Sequence, residues 1–238
     1  MTDAPTLRFL CPADLKGRIP EPLRAGRTLP EWFRDLPREM GMVDAHGLPG
    51  LTVRACLPVA DAMSLGWTIP LPVDVEVETD PATGRLEFRW AKDAPVEPLG
   101  QHHPGQIGAE GPGPFAGRMP MKFMNPWRVV LPEGWSALFV HPINHAQLPF
   151  SVFGGAVDCD ALNVPVNLPF VWTGGEAHLP AGTPIAQVIP YKRAAMRLAT
   201  EVRAETSDEA ATRAAAHTRK HTEDSVYARE WRRRHERG

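Results

Sequence analysis

Two aspartates one residue apart, Asp158 and Asp160, occupy the segment Gly154-Gly155-Ala156-Val157-Asp158-Cys159-Asp160. A carboxylate in a glycine-rich turn at a strand end serves as general base on a water if burial lifts its pKa toward neutrality. The same carboxylate can instead cap the turn through backbone amides. Asp160 is near enough to couple with Asp158 or to share a hard cation such as Mg2+, which favours carboxylate oxygens. A second group lies upstream in His141-Pro142-Ile143-Asn144-His145. If this segment is a loop, the i,i+4 spacing of His141 and His145 does not place them on one face. They are then either a zinc or iron pair or ordinary polar loop residues. Asp158, Asp160 and His145 are the catalytic candidates.

A third group is His102-His103, with Gln106 and Glu110, in "QHHPGQIGAEGPGP". Two histidines and a carboxylate are what a non-haem iron facial triad requires. Adjacent residues on a strand point to opposite faces, so one member of the pair would need His141, His145 or His178 to complete a set. The metal candidates are therefore His102, His103 and His141, with Fe or Mg as the ion, and the chemistry of the histidine set would be that of an oxygenase on a β-barrel. Lys122, Arg128, Lys192 and Arg193 are either surface cations or partners of an anionic ligand. Trp67, Trp90, Trp127, Trp135 and Trp172 suit a core or a subunit seam.

The elements that must position these groups are predominantly extended. All 26 prolines lie at or before Pro190, and after Gly182 the next glycine is Gly238. Proline cannot donate to a β ladder and is pushed to edges, strand starts and loops, so this distribution reads as strands and turns. Strands are expected over 51–57, 67–79, 85–91, 127–131, 136–142, 151–157, 163–172 and 184–192. Val73, Val75 and Val77 alternate with Asp74, Glu76 and Glu78, the pattern of a half-exposed strand, and "TDPATGR" (79–85) predicts a hairpin turn. Eight such strands point to a barrel or jelly-roll-like body.

Residues 1–50 form a Pro-rich, irregular N-terminal arm. Within it "TLPEWFRDLP" predicts a short helix capped by Thr28, with Trp32, Phe33 and Leu36 on one face, serving as a lid over the core or as a partner-binding motif. The main β domain spans 51–193. Residues 194–238 are rich in Ala, Glu and Arg and predict a C-terminal helical tail, with nine basic and eight acidic residues after Thr200. Its terminal "RRRHER" run is either a solvated helix end or a phosphate grip.

Composition bounds the function. A hydrophobic content of 43%, 23% charged residues and a formal net charge of -2 suit a soluble globular protein and disfavour a nucleic-acid polymer or an anionic membrane as partner. The three cysteines, Cys11, Cys56 and Cys159, are widely spaced and lack a C-x-x-C pair. They fit a reducing cytoplasm better than a disulfide framework. No run approaches the ~20 apolar residues of a membrane helix, and the N-terminus lacks a secretory pattern.

Pro132-Glu133-Gly134 ahead of Pro142, then Gly155-Ala156-Val157-Asp158, then Gly182-Thr183-Pro184-Ile185-Ala186-Gln187, occur in one order, with 24 residues from Asp158 to Gly182. In that order and spacing the chain resembles the trimeric dUTPase and dCTP deaminase superfamily over Trp127 to Ile189. The resemblance implies a β-clip fold, homotrimerisation, a key acid at Asp158, and ligand contacts from Asn144, Gln187 and Asn163. Where that family has an Arg-Ser-Gly phosphate turn, this chain reads Pro142-Ile143-Asn144-His145. Where an aromatic and Arg-Gly follow the acid, it reads Cys159-Asp160-Ala161-Leu162-Asn163. The whole chain also resembles phage and bacterial proteins of uncharacterised activity that share "PEWFRDLP", "HHPGQI" and "NPW".

Three functions stay open. The first is a divergent dUTPase-like protein with a small-molecule or nucleotide site around Asp158, not a working dUTPase. The second is a histidine-ligated metal-dependent oxygenase. The third is a structural or interaction protein on the same scaffold. The first requires the aspartate corner and the 142–145 loop to share one hollow.

Overall fold

The computed structural model describes residues 4–43, 45, 47–223 and 225–233. The protein is mainly β, with sixteen short strands in five sheets among those residues and one long helix near the C-terminus. In chain order the strands are β1 (Arg8–Leu10), β2 (Leu23–Arg24), β3 (Glu39–Val43), β4 (Pro49–Leu51), β5 (Trp67–Pro70), β6 (Val75–Thr79), β7 (Leu86–Arg89) and β8 (Leu99–Gln101). They continue with β9 (Pro120–Phe123), β10 (Arg128–Val130), β11 (Trp135–Val140), β12 (Phe150–Val152), β13 (Gly155–Val157), β14 (Leu168–Trp172), β15 (Ala177–Leu179) and β16 (Pro184–Lys192). The helices are α1 (Glu31–Asp35), α2 (Leu57–Ser64) and α3 (Ser207–Thr222). None of the five strand orders closes on itself.

The chain divides into two compact units, Met1–Pro30 with Ala62–Arg197, and Glu31–Asp61 with Leu198–Gly238. Composition suggests three successive segments with limits near 50 and 193. The units instead interleave, because β1 and β2 are recruited by pairing with β10 and β5.

In the first unit the antiparallel order β13-β11-β16-β5-β2 forms the largest sheet, beside β12-β14-β9-β8, β15-β6-β7 and the β1-β10 pair. β16 sits between β11 and β5, and Ile185, Ala186, Gln187 and Val188 are consecutively buried, as expected of a strand covered on both faces. Pro190 is tolerated there because the β5 ladder has already ended at Val188↔Trp67. Side chains from these sheets meet in one core, in which Phe123 and Phe170 stack 4.0 Å apart and Phe150 meets both edge-on. Each such ring contributes up to about 3 kcal/mol by burial.

Several expected strands resolve differently. Residues 51–57 do not form one strand: β4 ends at Leu51, a 3-10 turn occupies Val53–Ala55 and α2 starts at Leu57. Residues 67–79 and 151–157 each split into two strands that join different sheets, broken at Pro72 and at Phe153-Gly154. The valine alternation survives in β6, where Val75 and Val77 are buried and Glu76 and Glu78 exposed. The 79–85 turn is closed by Asp80, whose carboxylate accepts from Ala82 N and the Thr83 hydroxyl, with Gly84 at φ +68°.

In the second unit, α1 buries Phe33 but leaves Trp32 exposed. Thr28 does not cap it; that hydroxyl donates to Ala25 O. β3 and β4 form a hairpin. α3 begins only at Ser207, after a 3-10 turn at Arg193–Arg197, and its start is set by a reciprocal capping box between Thr206 and Glu209. Arg203 forks onto Glu209, Arg213 pairs with Glu205, and Arg219 binds Glu223 and Glu230. Arg232 forms a bidentate pair with Asp61. Arg234 to Arg237 of the terminal basic run lie outside the described residues. Among the described residues no helix is long and apolar enough to cross a membrane.

Gly66 has φ +66°, and a Cβ there would lie 2.0 Å from Val188 O. Gly66→Ala is therefore expected to destabilise the first unit by about 3 kcal/mol or more through left-handed strain plus a backbone clash. Urea unfolding measures this loss.

Candidate functional site

The aspartate corner is built by three turns meeting at one end of the main sheet. β13 pairs with β11 so that Ala137 faces Val157, which brings the next residues, Ser136 and Asp158, together. The Pro132–Trp135 turn closes with Trp135 N donating to Pro132 O, and Gly134 at its third position has φ +81°, which only glycine adopts readily. β16 delivers Arg193 just past its end, where Arg193 N donates to Gly134 O at 3.0 Å.

The guanidinium of Arg193 organises the corner. It donates to both Asp160 oxygens at 2.8 and 2.6 Å, to Asp158 Oδ1 at 3.3 Å, to Ser136 Oγ at 3.1 Å and to Trp135 O at 3.1 Å. Gly134 N adds a third bond to Asp160. The Arg193 fork, helped by this amide, holds the Asp160 carboxyl down at about 2. Ser136 donates to Asp158 Oδ1 at 2.5 Å. Asp158 remains 66% exposed at its side chain, against 9% for Asp160, and its Oδ2 has no hydrogen-bond partner among the described residues. The guanidinium lies where a cation shared by the two carboxylates would sit, so this pair does not fit a Mg2+ site. Cys159 between them is buried, which pushes its thiol up to about 11 and makes it inert as a nucleophile.

The 142–145 turn lies at the other end of β11. His145 N donates to Pro142 O, and Asn144 adopts φ +60°, a left-handed conformation asparagine tolerates. Gln187 is 1% exposed and fully engaged within the protein: Oε1 accepts from Ile143 N at 3.0 Å, and Nε2 donates to Ala62 O and Leu65 O at 3.1 and 2.7 Å. From Ser136 to Pro142 the chain runs six residues, about 20 Å of extended backbone. Asp158 and Asp160 thus do not share a hollow with Asn144 and His145 within one chain, which corrects the single pocket expected from sequence.

The histidines also disperse. His145 is buried, with Nδ1 3.5 Å from Gln147 Nε2, and burial followed by the nearby His141 depresses its pKa to about 4. His141 packs edge-on against Phe150, and its buried Nδ1 lacks a hydrogen-bond partner among the described residues. His103 instead caps the 3-10 turn Pro104–Ile107 by accepting from Gly105 N, and His102 is fixed through its backbone to Pro120 O. Among the described residues no three His, Cys, Asp or Glu side chains are arranged to hold a metal ion. His102, His103 and His141 therefore do not fit an iron site, because each is positioned by a different local turn or strand. Asn163 is exposed, and its carbonyl and Oδ1 accept from Arg128.

Arg193, by sequence either a surface cation or the partner of an anionic ligand, binds the chain's own carboxylates. Ser136 carried no signal, since only the β11–β13 register reveals it. Comparison with known protein families, curated proteins and solved structures found no match.

Two acid transitions follow. His145 titrates at about 6.5 unfolded and about 4 folded, so the unfolded chain binds the extra proton between those values. Stability is full above pH ~6.5 and falls by roughly 2–3 kcal/mol on descending to pH ~4. His145→Phe should flatten that window in thermal melts at stepped pH. Asp160, depressed from 3.8 to about 2, contributes stability above pH ~4 that disappears toward pH ~2. Asp160→Asn should lose this lower limb and leave the upper one.

Proposed function

We propose that this chain is a non-hydrolysing protein that binds a polar small molecule at the aspartate corner alone, with Asp158 as the acceptor for a ligand hydroxyl or amine. The observation that carries the reading is Asp158 itself. One oxygen is oriented by Ser136 and Arg193, while the other has no partner among the described residues and sits on a largely exposed side chain. A prepositioned acceptor costs little ordering entropy on binding. Binding rather than triphosphate hydrolysis is favoured because the turn replacing the phosphate motif lies about 20 Å along β11, with Ile143 N engaged by Gln187. The free thiols of Cys11, Cys56 and Cys159 suit a cytoplasmic setting.

A second reading, self-association as a homotrimer or other interaction assembly, is favoured by the β3–β4 hairpin. There Met40, Met42, Val43 and Leu51 are 55%, 62%, 66% and 56% exposed, an apolar concentration of the kind that marks interfaces.

Thermal melts with a panel of nucleosides and nucleoside triphosphates test the first reading. A nucleoside should raise Tm, and Asp158→Asn should weaken its binding about tenfold or more, as loss of a hydrogen bond to a charged group does. A Tm response unchanged in Asp158→Asn, or pyrophosphate release from dUTP, would contradict it. Light scattering tests the second: an oligomer that Met42→Glu dissociates is the expected result.

A further inference from the structure

We propose that helix α3 carries a binding site for a divalent transition-metal ion, formed by His217 and His221. The two residues are one helical turn apart on a sixteen-residue helix, the spacing at which side chains share a face. Their imidazole rings lie 4.5 Å apart between centroids, with planes inclined at 50°. Both are exposed, so a hydrated ion reaches them without any movement of the core.

The chemistry of the pair selects the ion. Neutral imidazole is a borderline donor that suits Zn2+, Ni2+ and Cu2+ far better than Mg2+ or Ca2+. Metal–nitrogen bonds of about 2.0–2.1 Å require two ring nitrogens to converge on one point, which rings this close can do by small side-chain rotations. The remaining coordination positions are open to water.

Local electrostatics do not oppose a cation there. Arg213, one turn before His217, is neutralised by Glu205, and Arg219 is held by Glu223 and Glu230. Lys220, next to His221 in the chain, is exposed and forms no ion pair among the described residues. The helix is also fixed independently of the ion by the Thr206–Glu209 capping box, so the two histidines are aligned before binding. Because an i,i+4 chelate exists only in a helical turn, occupancy also stabilises that turn.

The test is calorimetric titration of the untagged full chain with ZnCl2 and with NiCl2 at about pH 7.5, above the ordinary imidazole pKa of ~6.5. Hydrogen exchange with and without metal accompanies it. One ion per chain is expected, with slower exchange of the 217–221 amides. His217→Ala and His221→Ala should each lower affinity at least about tenfold, since removing a ligand costs no less than removing its outer support. Alanine keeps the helix intact. His178→Ala, at an exposed histidine paired with Glu76, should bind as the unchanged chain does. Absence of binding, an affinity unchanged in either of the two α3 variants, or metal binding that leaves 217–221 exchange unaltered would overturn the site.

Discussion

The Arg193–Asp160 ion pair is the constraint around which the first unit is arranged. Asp160 is almost wholly covered, and a covered carboxylate is tolerated only when charge and hydrogen bonds replace the lost water. Arg193 supplies the charge and Gly134 an amide, which ties the end of β16, the turn before β11 and the loop after β13 into one joint. None of the three segments can drift without leaving that carboxylate short of partners. The same guanidinium reaches Ser136 and Asp158, so it also fixes the position of an exposed acceptor.

The opposite end of β11 is held by a neutral counterpart. Gln187 uses its amide to join the 142–145 turn to the carbonyls of Ala62 and Leu65. Its burial is feasible because both ends of the amide are paired. The two joints lie at opposite ends of the paired strands β11 and β16. They explain why motifs adjacent in the chain operate separately in space: an antiparallel pair converts closeness in sequence into opposite ends of a strand.

The second unit depends on charge more than on a deep core. α3 buries none of its residues, and its order comes from a cap and from arginines bridging carboxylates. Exposed pairs of this kind are individually weak and act as a network. Such a helix leaves side chains such as His217 and His221 available to external ligands.

Much of this was legible in the residues. The mainly β character followed from proline distribution, the 79–85 turn from Asp80 and Gly84, and the buried stripe of β6 from valine alternation. The i,i+4 spacing of His217 and His221 is legible in the residues once a helix is expected over the tail. The interleaved units, the split of 67–79 and 151–157 between sheets, and the dispersal of His102, His103 and His141 were not legible. Local composition encodes which residues prefer strand, turn or helix, because those preferences are set by backbone sterics and side-chain period. Which strands pair, and in what register, is decided by burial and hydrogen-bond satisfaction over the whole chain. Those long-range terms alone placed Arg193 between the two aspartates and Gln187 beneath the 142–145 turn.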